Sequence, residues 1–208
     1  MSLKVSRDIM KFSNGRVAGA LLFVATAQFL LGLVVAESLY PGYSISANYI
    51  SDLGVGPSAV YFNSSVFLMG LLMIIGAYFL QRAFDYKVLT VLVVLTAIGA
   101  MGVGVFTEDF GAIHMVVSFI AFVFGGLAAI FSAICSHIHE FKLLKTSFSV
   151  IAVILGLMSL SAMVLFVTKV YLGLNFGGME RMILYPLLMW GAGFGGYLIA
   201  STEKGTVK

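Results

Sequence analysis

The sequence predicts an all-α polytopic membrane protein, a bundle of six transmembrane helices with both termini in the cytoplasm. Three observations predict it. Apolar residues make up 61% of the 208 and charged residues 10%, where a soluble domain carries roughly 25% charged, and the mean hydropathy is +1.07. Six segments free of Asp, Glu, Lys and Arg are each long enough to cross a hydrocarbon core, which takes about 20 helical residues at 1.5 Å each. Cations gather on one side of these spans: Lys4, Arg7, Lys11, Arg16, Arg82, Lys87, Lys142, Lys145, Lys204 and Lys208 against Lys169 and Arg181, an asymmetry that marks the cytoplasmic face. A soluble enzyme is excluded. The pI near 9.0 reports this loop asymmetry rather than a nucleic-acid partner, so the chain reads as a multi-pass protein of the cell membrane forming a single transmembrane domain.

The first span, 17–36, follows Lys11 and Arg16 as a secretory signal would, but it exceeds the roughly 7–15 residues of a signal core and is read as a retained helix. Spans 60–80, 88–107 and 110–136 are separated by segments so short that these three helices must be antiparallel neighbours. Spans 146–168 and 182–202 complete the bundle. Gly99, Gly102 and Gly104, then Ala121, Gly125 and Ala129, then Gly191 and Gly195 recur at the spacing that lets helix backbones approach where lipid supplies no hydrophobic drive. The same faces would suit a homo-oligomer. Pro186 falls in the first turn of the sixth span, where its missing N–H costs least, and a kink there would open space around Tyr185. Ser58 is placed to cap the second helix.

The one long segment between spans is the extracytoplasmic loop 37–59, with no cation, two acids, several serines and tyrosines, and turn signals at Pro41-Gly42 and before Pro57. A loop of this length in a compact domain is usually functional. Tyr40, Tyr43, Tyr49 and Tyr61 would suit an interfacial aromatic belt, but a belt does not account for Ser44, Ser46, Asn48, Ser51 and Asp52. Most ionisable groups near the spans fall at this same end: Glu37, Asp52, Glu108, Asp109, His114, Lys169, Glu180 and Arg181. Acids at helix starts complement the macrodipole, which accounts for Glu108 or Asp109 and for Glu180; Glu37 ends the first helix, opposes the dipole and needs a cation, Lys169 or Arg181.

His114 shares a helix face with Ser118, and an intramembrane histidine turns toward the bundle rather than toward lipid. It is either a hydrogen-bonded core group or part of a site. A loop folded over the fourth helix would bring Ser46 or Ser51, Asp52 and His114 together, an arrangement shared with hydrolytic triads. The expectation is one hydrogen-bonded cluster in which Asp52 orients His114, with Ser51, Asn63 and Glu180 or Arg181 nearby. Ser51, Asp52 and His114 are thus the candidate catalytic residues, and Ser46, Asn48, Asn63, Glu180 and Arg181 join them as candidate binding residues. No metal or other cofactor is expected. His137, His139 and Glu140 lie roughly 35 Å along the fourth helix from His114 at about 1.5 Å per residue and cannot share a metal with it.

The segment Asn48-Tyr-Ile-Ser-Asp-Leu-Gly54, Asn63 in the second helix, and Asp109-Phe-Gly-Ala-Ile-His114 with Phe122 and Gly125 beyond it resemble an uncharacterised bacterial and archaeal membrane family, domain of unknown function 998, over almost the whole chain. More distantly, the Tyr-Ile-Ser-Asp-x-Gly element and the histidine opening the fourth helix are similar to the eukaryotic damage-regulated autophagy modulator family and to relatives that remodel the lipid of glycosylphosphatidylinositol anchors. Leu53 stands where those proteins usually have Thr. The resemblance implies a lipid-facing role with Ser51, Asp52 and His114 at the matching positions. Three functions follow as alternatives: binding or modifying a lipid headgroup, with membrane lipids as partners; transporting a small solute or ion; or serving as a non-catalytic membrane assembly subunit.

Overall fold

The computed structural model describes residues 3–138 and 144–203, with side chains over 13–135 and 144–201. Six helices run as α1 Leu3–Leu39, α2 Ala59–Phe84, α3 Lys87–Val105, α4 Ala112–Ile138, α5 Thr146–Val167 and α6 Asn175–Glu203, with 3₁₀ turns at Ser51–Gly54 and Glu108–Phe110. All six are long and apolar enough to cross a membrane, as uncharged runs that satisfy their own backbone groups must be. Each helix packs on its neighbour in sequence and α6 returns to α1; α4 and α6 also touch, which leaves α5 on the outside of the ring. The residues between α1 and α2 cover one end of this bundle, called here the loop end.

Small residues set the helix spacing. A Cβ on Gly99 would collide with the Ala121 backbone of α4, and one on Gly195 would lie 2.6 Å from the Phe23 nitrogen of α1. Gly19, not anticipated, is the reciprocal partner of Gly195. The expected stripes are therefore used within the chain: Gly102 meets Val117, Gly104 meets Val66 and Gly191 meets Thr26.

Two helix starts at the loop end and one cap differ from expectation, each for a local reason. Helix α6 begins at Asn175 rather than at 182, because Glu180 and Arg181 turn inward to partners and so continue the helix instead of ending it. Pro186 then sits well inside α6 rather than in its first turn. It has no N–H to offer the carbonyl of the preceding turn, and close by Ser159 of α5 donates to the Ile183 carbonyl at 2.8 Å, the kind of side-chain compensation that makes membrane prolines tolerable. Helix α4 begins at Ala112 because Gly111, with φ 55°, closes the preceding 3₁₀ turn; Glu108 and Asp109 therefore lie outside its first turn. Ser58 does occupy the position before α2, but its hydroxyl donates to Leu53 O at 3.1 Å and not to the helix.

Candidate functional site

The loop end is built from backbone carbonyls and amides of the loop captured by side chains of the helices. Arg181 of α6 donates to Ile45 O at 2.9 Å and to Gly177 O at 3.1 Å. Its other terminal nitrogen donates to the Glu37 carboxylate at 2.5 Å and to the Tyr43 hydroxyl at 2.8 Å. Glu37 thus receives the cation that its place at the end of α1 requires. Tyr43 passes the network on by donating to Tyr49 O at 2.9 Å; burial pushes its hydroxyl up to about 12, with the Arg181 charge opposing, so it stays a neutral donor. Gly177 N donates to Ser46 O at 3.0 Å, and a side chain at Gly177 would run into the Asn48 carbonyl. Glycine is needed there because loop and helix backbones cross. Glu180 accepts from Ile50 N at 2.5 Å, and Asn63 of α2 donates to Gly54 O at 2.8 Å.

Within the loop, Asp52 accepts from Asn48 Nδ2 at 2.8 Å and from Tyr49 N at 3.0 Å, while the Asn48 side-chain Oδ1 accepts from Ser44 N. The carboxylate therefore organises its own turn. The expected bond between Asp52 and His114 is not made. His114 Nδ1 lies 2.7 Å from Phe106 O and Nε2 3.3 Å from Ser118 Oγ; a carbonyl only accepts, so Nδ1 carries the proton, and in the neutral ring Nε2 accepts from the Ser118 hydroxyl. The ring is oriented by the backbone at the α3–α4 junction. Of the four tyrosines, Tyr61 is exposed as a belt residue would be, whereas Tyr40 packs on Tyr43 and Tyr49 on Phe176.

Glu108, read from sequence as a helix cap, belongs to this cluster instead. The two 3₁₀ turns pack together, and burial followed by the adjacent Asp52 carboxyl pushes Glu108 up to about 7, with the Ser51 hydroxyl opposing. Its buried Oε2 has no partner that donates. A proton on Glu108 removes the conflict, because a carboxylic acid can donate to a neighbouring carboxylate. Two acids on short segments either side of α2 and α3 were the available sequence signal, and the dipole explanation hid it.

Below the loop lies a cavity of ≈ 780 Å³, counting its open part. Ser51, His114, Ser118 and Glu180 line its loop end; the rest of its wall is mainly apolar, including Phe29, Val66, Met69, Phe122, Leu187 and Trp190. Thr26 and Thr96 are the other polar side chains apart from the tryptophan, and each hydroxyl is spent on a carbonyl of its own helix. From Glu180 to Gly191 along α6, both in the wall, the cavity runs for about 16 Å at 1.5 Å per residue. It touches α6 at Leu184, Leu187 and Leu188, around Pro186, and leaves Tyr185 out. Ser51, His114 and Glu180 of the candidates meet at the cavity; Ser46, Asn48, Asp52, Asn63 and Arg181 hold the loop above it. Among the described residues no three His, Cys, Asp or Glu side chains are grouped to hold a metal. His137, His139 and Glu140 lie outside the residues whose side chains are described.

No curated protein and no solved structure matches the chain, so the autophagy-modulator likeness is not shown. A family model described as "Protein of unknown function (DUF998)" matches residues 23–196, spanning the helices, the loop and every residue named at the cavity. The chain is an integral membrane protein and belongs to the DUF998 family.

Proposed function

We propose that this protein binds a single-chain or branched amphiphile in the cell membrane, with an acyl chain in the cavity and the headgroup at Ser51, His114, Ser118 and Glu180. On this reading the mouth faces away from the cytoplasm, following the cation asymmetry. The observation that carries it is the segregation of the cavity wall. Polar side chains not spent on a carbonyl of their own helix gather at one end, and the remaining depth is lined mainly by aliphatic and aromatic side chains, the division an amphiphile presents. A route for a hydrated solute would need polar groups along its whole length; the deep part of the wall instead includes Met73 and Trp190, with Trp190 stacked on Phe194 at 5.4 Å. Binding is favoured over hydrolysis because His114 takes its orientation from a carbonyl and Asp52 is spent on the loop, so no carboxylate supports the imidazole as a triad requires.

Mass spectrometry of the detergent-purified protein under non-denaturing conditions tests the reading. The wild type should retain a lipid in near-stoichiometric amount, and Gly125→Leu or Ala121→Leu, which fill the cavity wall, should lose it while remaining folded. Equal retention by wild type and both variants would place the lipid elsewhere, and a wild type free of lipid even after incubation with membrane extract would defeat the proposal.

A further inference from the structure

We infer that the headgroup accepted at the loop end is cationic, a protonated primary amine, and that Glu180 is its counter-ion. The inference rests on the amphiphile reading and specifies its ligand. Four carboxyl side chains lie at the loop end, Glu37, Asp52, Glu108 and Glu180, and of these Glu180 lines the cavity. Arg181 is the one cation with a contact to this group among the described residues, and its terminal nitrogens are taken by Glu37, Tyr43 and two backbone carbonyls. Even with a proton on Glu108, the acids outnumber the bound cation.

Glu180 feels this imbalance most directly. It is only 8% exposed and lies in the cavity wall. One carboxylate oxygen accepts from Ile50 N; the other has no hydrogen-bond partner among the described residues and is left to the cavity. A buried carboxylate must find a proton, a cation or a set of donors. Ser51, beside it in the wall, adds a hydroxyl that can accept from an ammonium N–H. Anionic headgroups meet the opposite situation, since no Lys or Arg among the described residues lines the cavity and a phosphate would sit against Glu180. An ammonium has three donors and no acceptor, and so matches a site rich in acceptors.

Trp190, the only tryptophan of the chain, lines the cavity and reports occupancy. The full-length protein, in phosphatidylcholine nanodiscs, is loaded with a spin-labelled octadecyl amine that quenches Trp190, and unlabelled octadecylamine, octadecanol, octadecanoic acid and octadecyl phosphate are titrated as competitors, with Gly125→Leu as the control for quenching from the bilayer. Octadecylamine should displace the probe at least tenfold more effectively than the alcohol, with the acid and phosphate weaker still. Glu180→Gln keeps a carbonyl oxygen for Ile50 N–H and should bring the amine down to the level of the alcohol, leaving the alcohol unchanged. If the amine matches the alcohol in the wild type, or the acid or phosphate competes best, the cationic assignment fails and the amphiphile reading stands. If Gly125→Leu is quenched as strongly as wild type, the cavity is not the binding site and both fail. Because the wild-type series alone decides the headgroup order, the outcome does not depend on the variant folding.

Discussion

Burial and, after it, the adjacent Asp52 carboxyl push Glu108 up to about 7, and this makes stability depend on pH. In an unfolded chain its carboxyl titrates near 4.5, and in the folded protein it titrates near 7. Between these values the folded state binds more protons, so stability falls as pH rises. The contribution is complete below 4.5 and lost above 7. Melting temperature followed across this window should therefore fall with pH, and Glu108→Gln, uncharged throughout, should flatten the dependence; an unchanged slope would assign the proton to another group. Asp52 shows the complementary behaviour of a residue spent on architecture. Asp52→Ala removes the acceptor for Asn48 and Tyr49 and should loosen the loop by about 1.5–3 kcal/mol, the range for bonds to a charged group, seen as faster chymotryptic cleavage near Tyr49.

At the scale of elements, one side chain of α6 fastens both α1 and the loop. Replacing Arg181 with Leu strands Glu37, whose side chain is 19% exposed, and releases Ile45 O. Removing one partner of a buried pair costs about 3–5 kcal/mol, so thermal stability should drop sharply, and Arg181→Lys should restore it only in part because one ammonium cannot reproduce the fork. Helix contacts divide into two grades. Gly99→Leu drives a side chain into the Ala121 backbone and should cost at least the ~1–3 kcal/mol of an overpacked core. Ser159→Ala removes the hydroxyl that donates to Ile183 O across the α5–α6 contact and should cost about 0.6 kcal/mol, the average for such bonds between membrane helices. Comparable melting temperatures for these two variants would mean that α3 and α4 separate freely.

For the molecule as a whole, the cation asymmetry of the sequence predicts an orientation that labelling tests. Lys87 opens α3 at one end of the bundle and Ser46 lies in the loop at the other; both are exposed. With Cys135 replaced by Ser, cysteines introduced at Lys87 and Ser46 should react with an impermeant maleimide from opposite sides of the membrane, Ser46 in intact cells and Lys87 only after lysis. Labelling of both in intact cells would overturn the orientation, and with it the placement of the cavity mouth away from the cytoplasm.

Six spans, their order and the antiparallel run of α2, α3 and α4 were legible in the sequence by itself, because apolar length and short connections leave one solution in lipid. So was the need of Glu37 for a cation, since its sign conflicts with the helix end, and the inward face of His114. The start of α6 was not legible: composition treats Glu180 and Arg181 as the border of a span, whereas partners contributed by residues more than a hundred positions away keep them inside one. The same separation explains the site. Local sequence offers Asp52 and His114 as partners and Glu108 as a cap, but which acceptor a donor reaches depends on how the loop crosses Gly177 and how the two 3₁₀ turns meet. Only the tertiary structure decided that Asp52 holds the loop, that Glu108 joins it, and that Glu180 is left facing an apolar cavity, because each is settled by distance in space between segments that the chain keeps apart.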